Sequence, residues 1–146
     1  MAQPTIQPPP EPSLVDAAAA RVGQRLNASW ILDEVLGLGG VSAVFAGTHV
    51  DGGRAALKVL HAALTREPEI RERFLREGKI ANQVDHPSRV KVLGDDVSDR
   101  GEPFLILELL SGTTLQRLLR RSGEALPLEQ TLAIFDAVLD LLARCH

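Results

Sequence analysis

The sequence predicts an α+β domain: a five-stranded antiparallel sheet carrying one helix, followed by two further helices. Three observations carry that expectation. Alternating apolar segments recur at residues 30–36, 43–49 and 54–60, joined by short glycine-bearing links. A helical period replaces the alternation between Pro68 and Val84. Two more strand-like runs, residues 90–97 and 103–109, flank the polar turn Ser98-Asp99-Arg100-Gly101. Links this short suit hairpins rather than crossovers, so sequential strands are expected to run antiparallel.

Taken in order, the chain opens on a stretch containing Pro4, Pro8, Pro9, Pro10 and Pro12, which lack backbone donors. A disordered tail is expected there, with a proline-rich recognition motif as the alternative. The alanines at 17–20 favour a short helix over residues 15–26. Asp51-Gly52-Gly53 supports a hairpin turn, because glycine reaches positive φ at little cost. Pro68 suits the first turn of the next helix, and Glu67 and Glu69 favour its positive end. Ile70, Phe74, Ala81 and Val84 mark its apolar face. Gly78 weakens it by about 1 kcal/mol relative to alanine, so this helix needs tertiary support. Asp85-His86-Pro87 stops it.

A short helix is expected at residues 114–121 and a longer one from Leu128 to the C-terminus. In the longer one Leu128, Leu132, Phe135, Leu139 and Leu142 share a face that Ile134, Val138 and Leu141 widen. Only a narrow stripe of Glu129, Asp136, Asp140 and Arg144 stays polar, so burial on most sides is expected. The covering residues are expected to lie outside this sequence; a dimer, or pairing with residues 114–121, is the alternative.

Composition narrows the function classes. A chain of 146 residues suits one domain, and its 45% apolar content supplies a core. Its 16 basic and 19 acidic residues leave a net charge of -3, which offers no footprint for nucleic acid. Cys145 stands alone, so no internal disulfide can form and a reducing, cytoplasmic setting is expected. No leader-like opening and no apolar run near the ~20 residues that span a bilayer are present, so no membrane segment is expected. His49, His61, His86 and His146 lack ligand spacing, and no metal site is expected from them.

The chemistry-bearing segment is Val35-Leu36-Gly37-Leu38-Gly39-Gly40-Val41-Ser42-Ala43-Val44-Phe45. A tight hairpin alone would account for its glycines. A dinucleotide fingerprint needs a helix directly after them, but residues 43–49 read as strand. A P-loop needs Gly-Lys-Ser/Thr, which is absent. What survives is a glycine-rich hairpin able to cover phosphates with backbone amides. Lys58 follows Ala55-Ala56-Leu57 and precedes Val59-Leu60, surroundings that argue for burial. A buried lysine needs a counter-charge, and Glu77 is available. Position alone favours Glu77 as a solvated carboxylate on a helix face.

Together these residues resemble the eukaryotic-like serine/threonine protein kinase family, particularly its bacterial members. Gly37-x-Gly39-x-x-Ser42-x-Val44 is similar to the family's glycine-rich loop, with Ser42 in place of the third glycine. Ala55-Ala56-Leu57-Lys58 resembles its third-strand lysine motif, and Glu77 falls where its helix glutamate sits. His86-Pro87 is similar to the pair that follows that helix, with Ser88-Arg89 departing from the usual pattern beyond it. Residues 104–110 resemble the strand entering the hinge, and Ser111-Gly112-Thr113-Thr114-Leu115 the start of the next helix.

The resemblance implies a tail at 1–25, a kinase N-lobe and hinge at 26–110, and the start of a truncated C-lobe at 111–146. It implies ATP as cofactor and an unidentified protein substrate. The backbone around Gly37, Leu38, Gly39, Gly40 and Ser42 would cover the phosphates, and Lys58 would contact them while paired with Glu77. Val44 and Ala56 would sandwich the adenine, Leu107 would be the gatekeeper, and the backbones of Glu108 and Leu110 would bond the adenine edge. Magnesium is expected by family, but its protein ligands are absent from these residues. Neither His-Arg-Asp nor Asp-Phe-Gly occurs in them, so these residues alone are expected to be inactive. A non-catalytic nucleotide-binding or kinase-interacting module is the alternative.

Overall fold

The computed structural model describes residues 13–123 and 125–145. Its centre is a six-stranded antiparallel sheet ordered β1-β2-β3-β4-β6-β5. The strands are β1 (Arg25–Leu26), β2 (Trp30–Leu38), β3 (Ser42–His49), β4 (Arg54–Leu60), β5 (Val92–Val97) and β6 (Pro103–Leu107). Five were expected; the sixth is the two-residue β1, which pairs Arg25 with Ile31 and Leu26 with Trp30. Its turn runs through Asn27 and Ala28, both at positive φ, so no glycine signals it in the sequence.

The period-two pleat sorts side chains into two cores. Ala43 and Phe45 of β3, Ala55, Leu57 and Val59 of β4, and Phe104 of β6 form one buried cluster with Ala18, Leu26 and Leu32. The opposite face carries Leu60 and Leu105, which pack with Phe74 of helix α2 (Pro68–Ala81). Phe45, Phe104 and Leu57 are fully buried, each contributing roughly 1.5–3 kcal/mol. Gly52 at φ +89° closes the β3–β4 hairpin as the Asp51-Gly52-Gly53 turn requires.

The first cluster is covered by the N-terminal segment. Helix α1 (Leu14–Ala19) is capped by Ser13, whose hydroxyl accepts from the Asp16 amide at 3.2 Å. The helix expected to reach residue 26 stops at Ala19; Gly23 takes φ +83° and its amide bonds the Leu32 carbonyl at 2.7 Å, starting the strand pairing. The proline-rich stretch 1–12 lies outside the described residues. Residues 13–25, expected with it as a mostly disordered tail, carry α1 and the beginning of β1. Arg21 then ties the segment down: its Nη2 meets Glu102 Oε2 at 2.7 Å, in the turn joining β5 to β6. Ser98 Oγ donates to the same carboxylate oxygen at 3.1 Å, and the Glu102 side chain is only 4% exposed.

Two helices follow the sheet, α3 (Leu115–Arg121) and α4 (Leu128–Arg144). Strand β5 begins at Val92 rather than residue 90, and β6 ends at Leu107 rather than 109; Glu108 bonds Lys91 just beyond the ladder. The apolar face of α4 is uncovered among the described residues, with Leu128 at 72% and Phe135 at 62% exposure. A polar contact reaches it from the sheet domain: His86 Nε2 donates to Asp140 Oδ2 at 2.8 Å, while Nδ1 accepts from the Ser88 amide at 3.1 Å. No helix of the described residues is long and apolar enough to cross a membrane.

Arg21→Ala is expected to cost about 3 kcal/mol in urea unfolding, because it strands a buried carboxylate, with Arg21→Lys intermediate. The hydrogen bond from His86 holds the Asp140 carboxyl below its ordinary value of 3.8. A lowered folded value means the contact's stability is present above 3.8 and lost as pH falls through the lowered folded value. Asp140→Asn should therefore remove this acid-sensitive component, and the unfolding midpoints of variant and parent should converge in acid.

Candidate functional site

The glycine reversal sits between β2 and β3. Register shifts between Leu32 and Glu34 and between Val35 and Gly37 bulge β2, and beyond it Val41 and Ser42 line a cavity with Ile70 and Phe74 of α2. The reversal closes through the Gly39 amide, which donates to the Ser42 carbonyl at 2.9 Å. Gly39 and Gly40 are exposed, Gly37 is half-buried, and a Cβ at Gly37 or Gly40 would meet nothing. Leu38 is exposed and Ser42 buried at the start of β3.

Strand pairing assembles the expected residues in rows. Gly37 lies opposite Val44, Val44 opposite Lys58, and Lys58 opposite Leu105. The adjacent row joins Ala46, Ala56 and Leu107. Directly opposed residues share a face, so Val44, Ala56, Lys58 and Leu107 look toward the same side as α2. Glu108 and Leu110 continue from the end of β6. The Glu108 amide is engaged by the Lys91 carbonyl at 3.0 Å, and Leu110 is 65% exposed.

Lys58 Nζ meets Glu77 Oε1 at 2.6 Å. The lysine side chain is 22% exposed and the glutamate 61%, so the pair opens to solvent on the glutamate side. Phe74, one turn before Glu77, lies under the ammonium with its ring centroid 5.6 Å from Nζ. Beside the pair is a cavity of about 90 Å³ lined by Val41, Ser42, Lys58, Ile70, Arg73, Phe74 and Glu77. Helix α2 approaches this closely because of Gly78: a Cβ there would stand 2.8 Å from Leu105 Cδ2. The glycine that weakens the helix in isolation packs against Leu105 where the helix docks.

Residues not singled out for this site are Phe74, Arg73 and His61. Helical spacing of three and four residues before Glu77 puts Phe74 and Arg73 beside it, a signal present in the sequence. His61 carried no such signal, because its contact with the Gly39 carbonyl depends on strand register. Among the described residues no three His, Cys, Asp or Glu stand together as metal ligands.

A glycine hairpin folded over a strand lysine, with that lysine paired to a carboxylate on the helix beneath, defines the small lobe of a protein kinase. The protein kinase domain model matches residues 30–146, and the chain belongs to that family. It is 36% identical over 134 residues to the serine/threonine-protein kinase Pkn1 of Myxococcus xanthus, covering 91% of this chain and 19% of Pkn1. It is 32% identical over 132 residues to the serine/threonine-protein kinase PknH of Mycobacterium tuberculosis, covering 90% of this chain and 21% of PknH. The crystal structure of the Mycobacterium tuberculosis PknI kinase domain superposes with a TM-score of 0.65 at 28% identity. That match covers 86% of this chain and 51% of the PknI chain. The chain thus spans about a fifth of these curated relatives and half of that kinase domain.

Gly78→Ala should gain about 1 kcal/mol in helix propensity and lose more in overpacking against Leu105, for a net destabilisation of about 1 kcal/mol. Chemical denaturation measures it, and pairing the change with Leu105→Ala should recover part of the loss.

Proposed function

We propose that this chain holds ATP for a serine/threonine protein kinase. The observation that carries the reading is the 2.6 Å Lys58–Glu77 pair set beneath the glycine reversal. An ammonium held by a carboxylate keeps a fixed position while presenting its remaining hydrogens to phosphate oxygens. The backbone of Gly37, Leu38, Gly39, Gly40 and Ser42 would lie over the phosphates, where the absence of side chains at Gly37 and Gly40 leaves room for close approach. Val44, Ala56 and Leu107 offer an apolar bed for the adenine, with the Glu108 carbonyl and the Leu110 amide as the edge contacts. The 90 Å³ cavity suits a phosphate group rather than a whole nucleotide, whose base would lie along the open face of the sheet.

The names of the bacterial relatives support serine or threonine as acceptor. ATP supplies the phosphoryl group when bound; the residues of this chain bind and orient it. His-Arg-Asp and Asp-Phe-Gly are both missing from these 146 residues, so no side chain here orients a substrate hydroxyl. Binding without transfer is the behaviour we assign to the 146 residues by themselves.

Calorimetric titration with ATP is the test. Lys58→Ala should weaken binding about tenfold or more, the scale of a charged hydrogen bond, and Glu77→Gln should weaken it less. Labelled ATP with a generic protein substrate should give no transfer. Affinity unchanged by Lys58→Ala would overturn the assignment of this lysine, and turnover by the 146-residue chain would overturn the inactivity.

A further inference from the structure

Two glycines in a row give a phosphate-covering loop freedom of approach but no rigidity of its own. Something else must hold Gly39 and Gly40 in place, and the structure offers one residue for it. His61 follows directly on the last residue of β4, Leu60. Its backbone amide donates to the Val41 carbonyl at 3.0 Å, and its imidazole Nε2 lies 2.8 Å from the Gly39 carbonyl. A carbonyl only accepts, so Nε2 carries the hydrogen, as it can in both the neutral and the protonated ring. With the Gly39 amide bonded to the Ser42 carbonyl at 2.9 Å, both polar groups of the Gly39 backbone are engaged.

We propose that His61 is the positioning residue of the glycine loop: it latches the Gly39–Val41 reversal to the strand that carries Lys58. Only two residues separate His61 from Lys58, so the height of the loop above the ammonium is set by one short rigid segment. The backbone bond to Val41 survives any substitution except proline. The imidazole bond to Gly39 is the part that the side chain specifies. This inference rests on the reading of the site as a nucleotide site, and its consequence is directional: the latch should matter for the phosphates and not for the base.

The experiment compares the parent chain with His61→Ala, His61→Gln and Lys58→Ala. Amide hydrogen exchange at Gly39 is read by NMR without ligand, and affinities for ATP and for adenosine by calorimetry. In His61→Ala the Gly39 amide should exchange about fivefold faster or more, and ATP affinity should fall by a similar factor, the size one net hydrogen bond carries. Adenosine affinity should hold. Glutamine, whose side-chain amide can donate to the same carbonyl, should restore most of both effects. Unchanged Gly39 exchange in His61→Ala overturns the latch, as does an equal loss of ATP and adenosine binding. If Lys58→Ala loses ATP while His61→Ala does not, the latch fails and the nucleotide reading stands. If the parent chain binds no ATP, both fail.

Discussion

A lysine in the middle of an apolar strand must find a counter-charge, and most of this structure follows from where Lys58 finds one. The alternation of β4 commits Ala55, Leu57 and Val59 to one core and leaves Ala56, Lys58 and Leu60 on the other face. No acidic residue pairs with Lys58 along the ladder, since its cross-strand neighbours are Val44 and Leu105. The carboxylate therefore has to come from a helix laid across that face. Glu77 reaches to 2.6 Å from a helix whose Gly78 presents no side chain to Leu105. Strand register and helix approach together bring the two charges within reach.

A sheet that gives one face to α2 still has to cover the second. Trp30, where the family match begins, already lies on the pairing strand of β1, so the cover comes from residues before it. Ala18 and Leu26 enter the buried cluster, and Arg21 spans to Glu102 across 81 positions of sequence. A buried ion pair is costly to desolvate, and its value lies in direction: replacing either partner leaves the other stranded. Here Ser98 shares the carboxylate, and the guanidinium also lies 5.9 Å over the ring of Phe45. The segment is thus attached by a buried ion pair, a shared hydroxyl and an aromatic ring.

Much of this was legible in the sequence, for reasons particular to each element. The β3–β4 hairpin announced itself because Gly52 needs positive φ and the flanking runs alternate. Helix α2 begins at Pro68 as expected, but it ends at Ala81 with Asn82 as its C-cap, short of the Val84 expected on its apolar face and of the Asp85-His86-Pro87 stop. β1 was not legible, because its turn uses Asn27 and Ala28, and alanine at φ +55° is no turn signal. Gly78 was read as a weak point of α2, whereas its reason lies 27 residues away in Leu105, beyond any local pattern. The same holds for His61 and Gly39, and for Arg21 and Glu102: contacts fixed by register carry no periodicity of their own. For Lys58 an apolar strand with one charge in it raises the question of a partner, and the family resemblance pointed to Glu77.

The attachments of α2 are unequal along its length. Past its C-terminal end, Asn82 bonds both the amide and the carbonyl of Val92, at 3.0 and 2.6 Å, which welds that end to the edge strand. His86, four residues on, holds Asp140 of α4. In the middle, Phe74 and Gly78 are buried against the sheet. The link that touches the candidate site is different in kind: Glu77 is 61% exposed, so its attraction for Lys58 is screened by water and ions. A helix fixed by neutral contacts at its far end and by a solvent-facing charge at the site has its most yielding restraint where the ligand would sit. Bound phosphate would add negative charge beside Lys58 and compete with Glu77 for it, so the apolar seat of Phe74 and Gly78 must keep the helix in place while the lysine is shared.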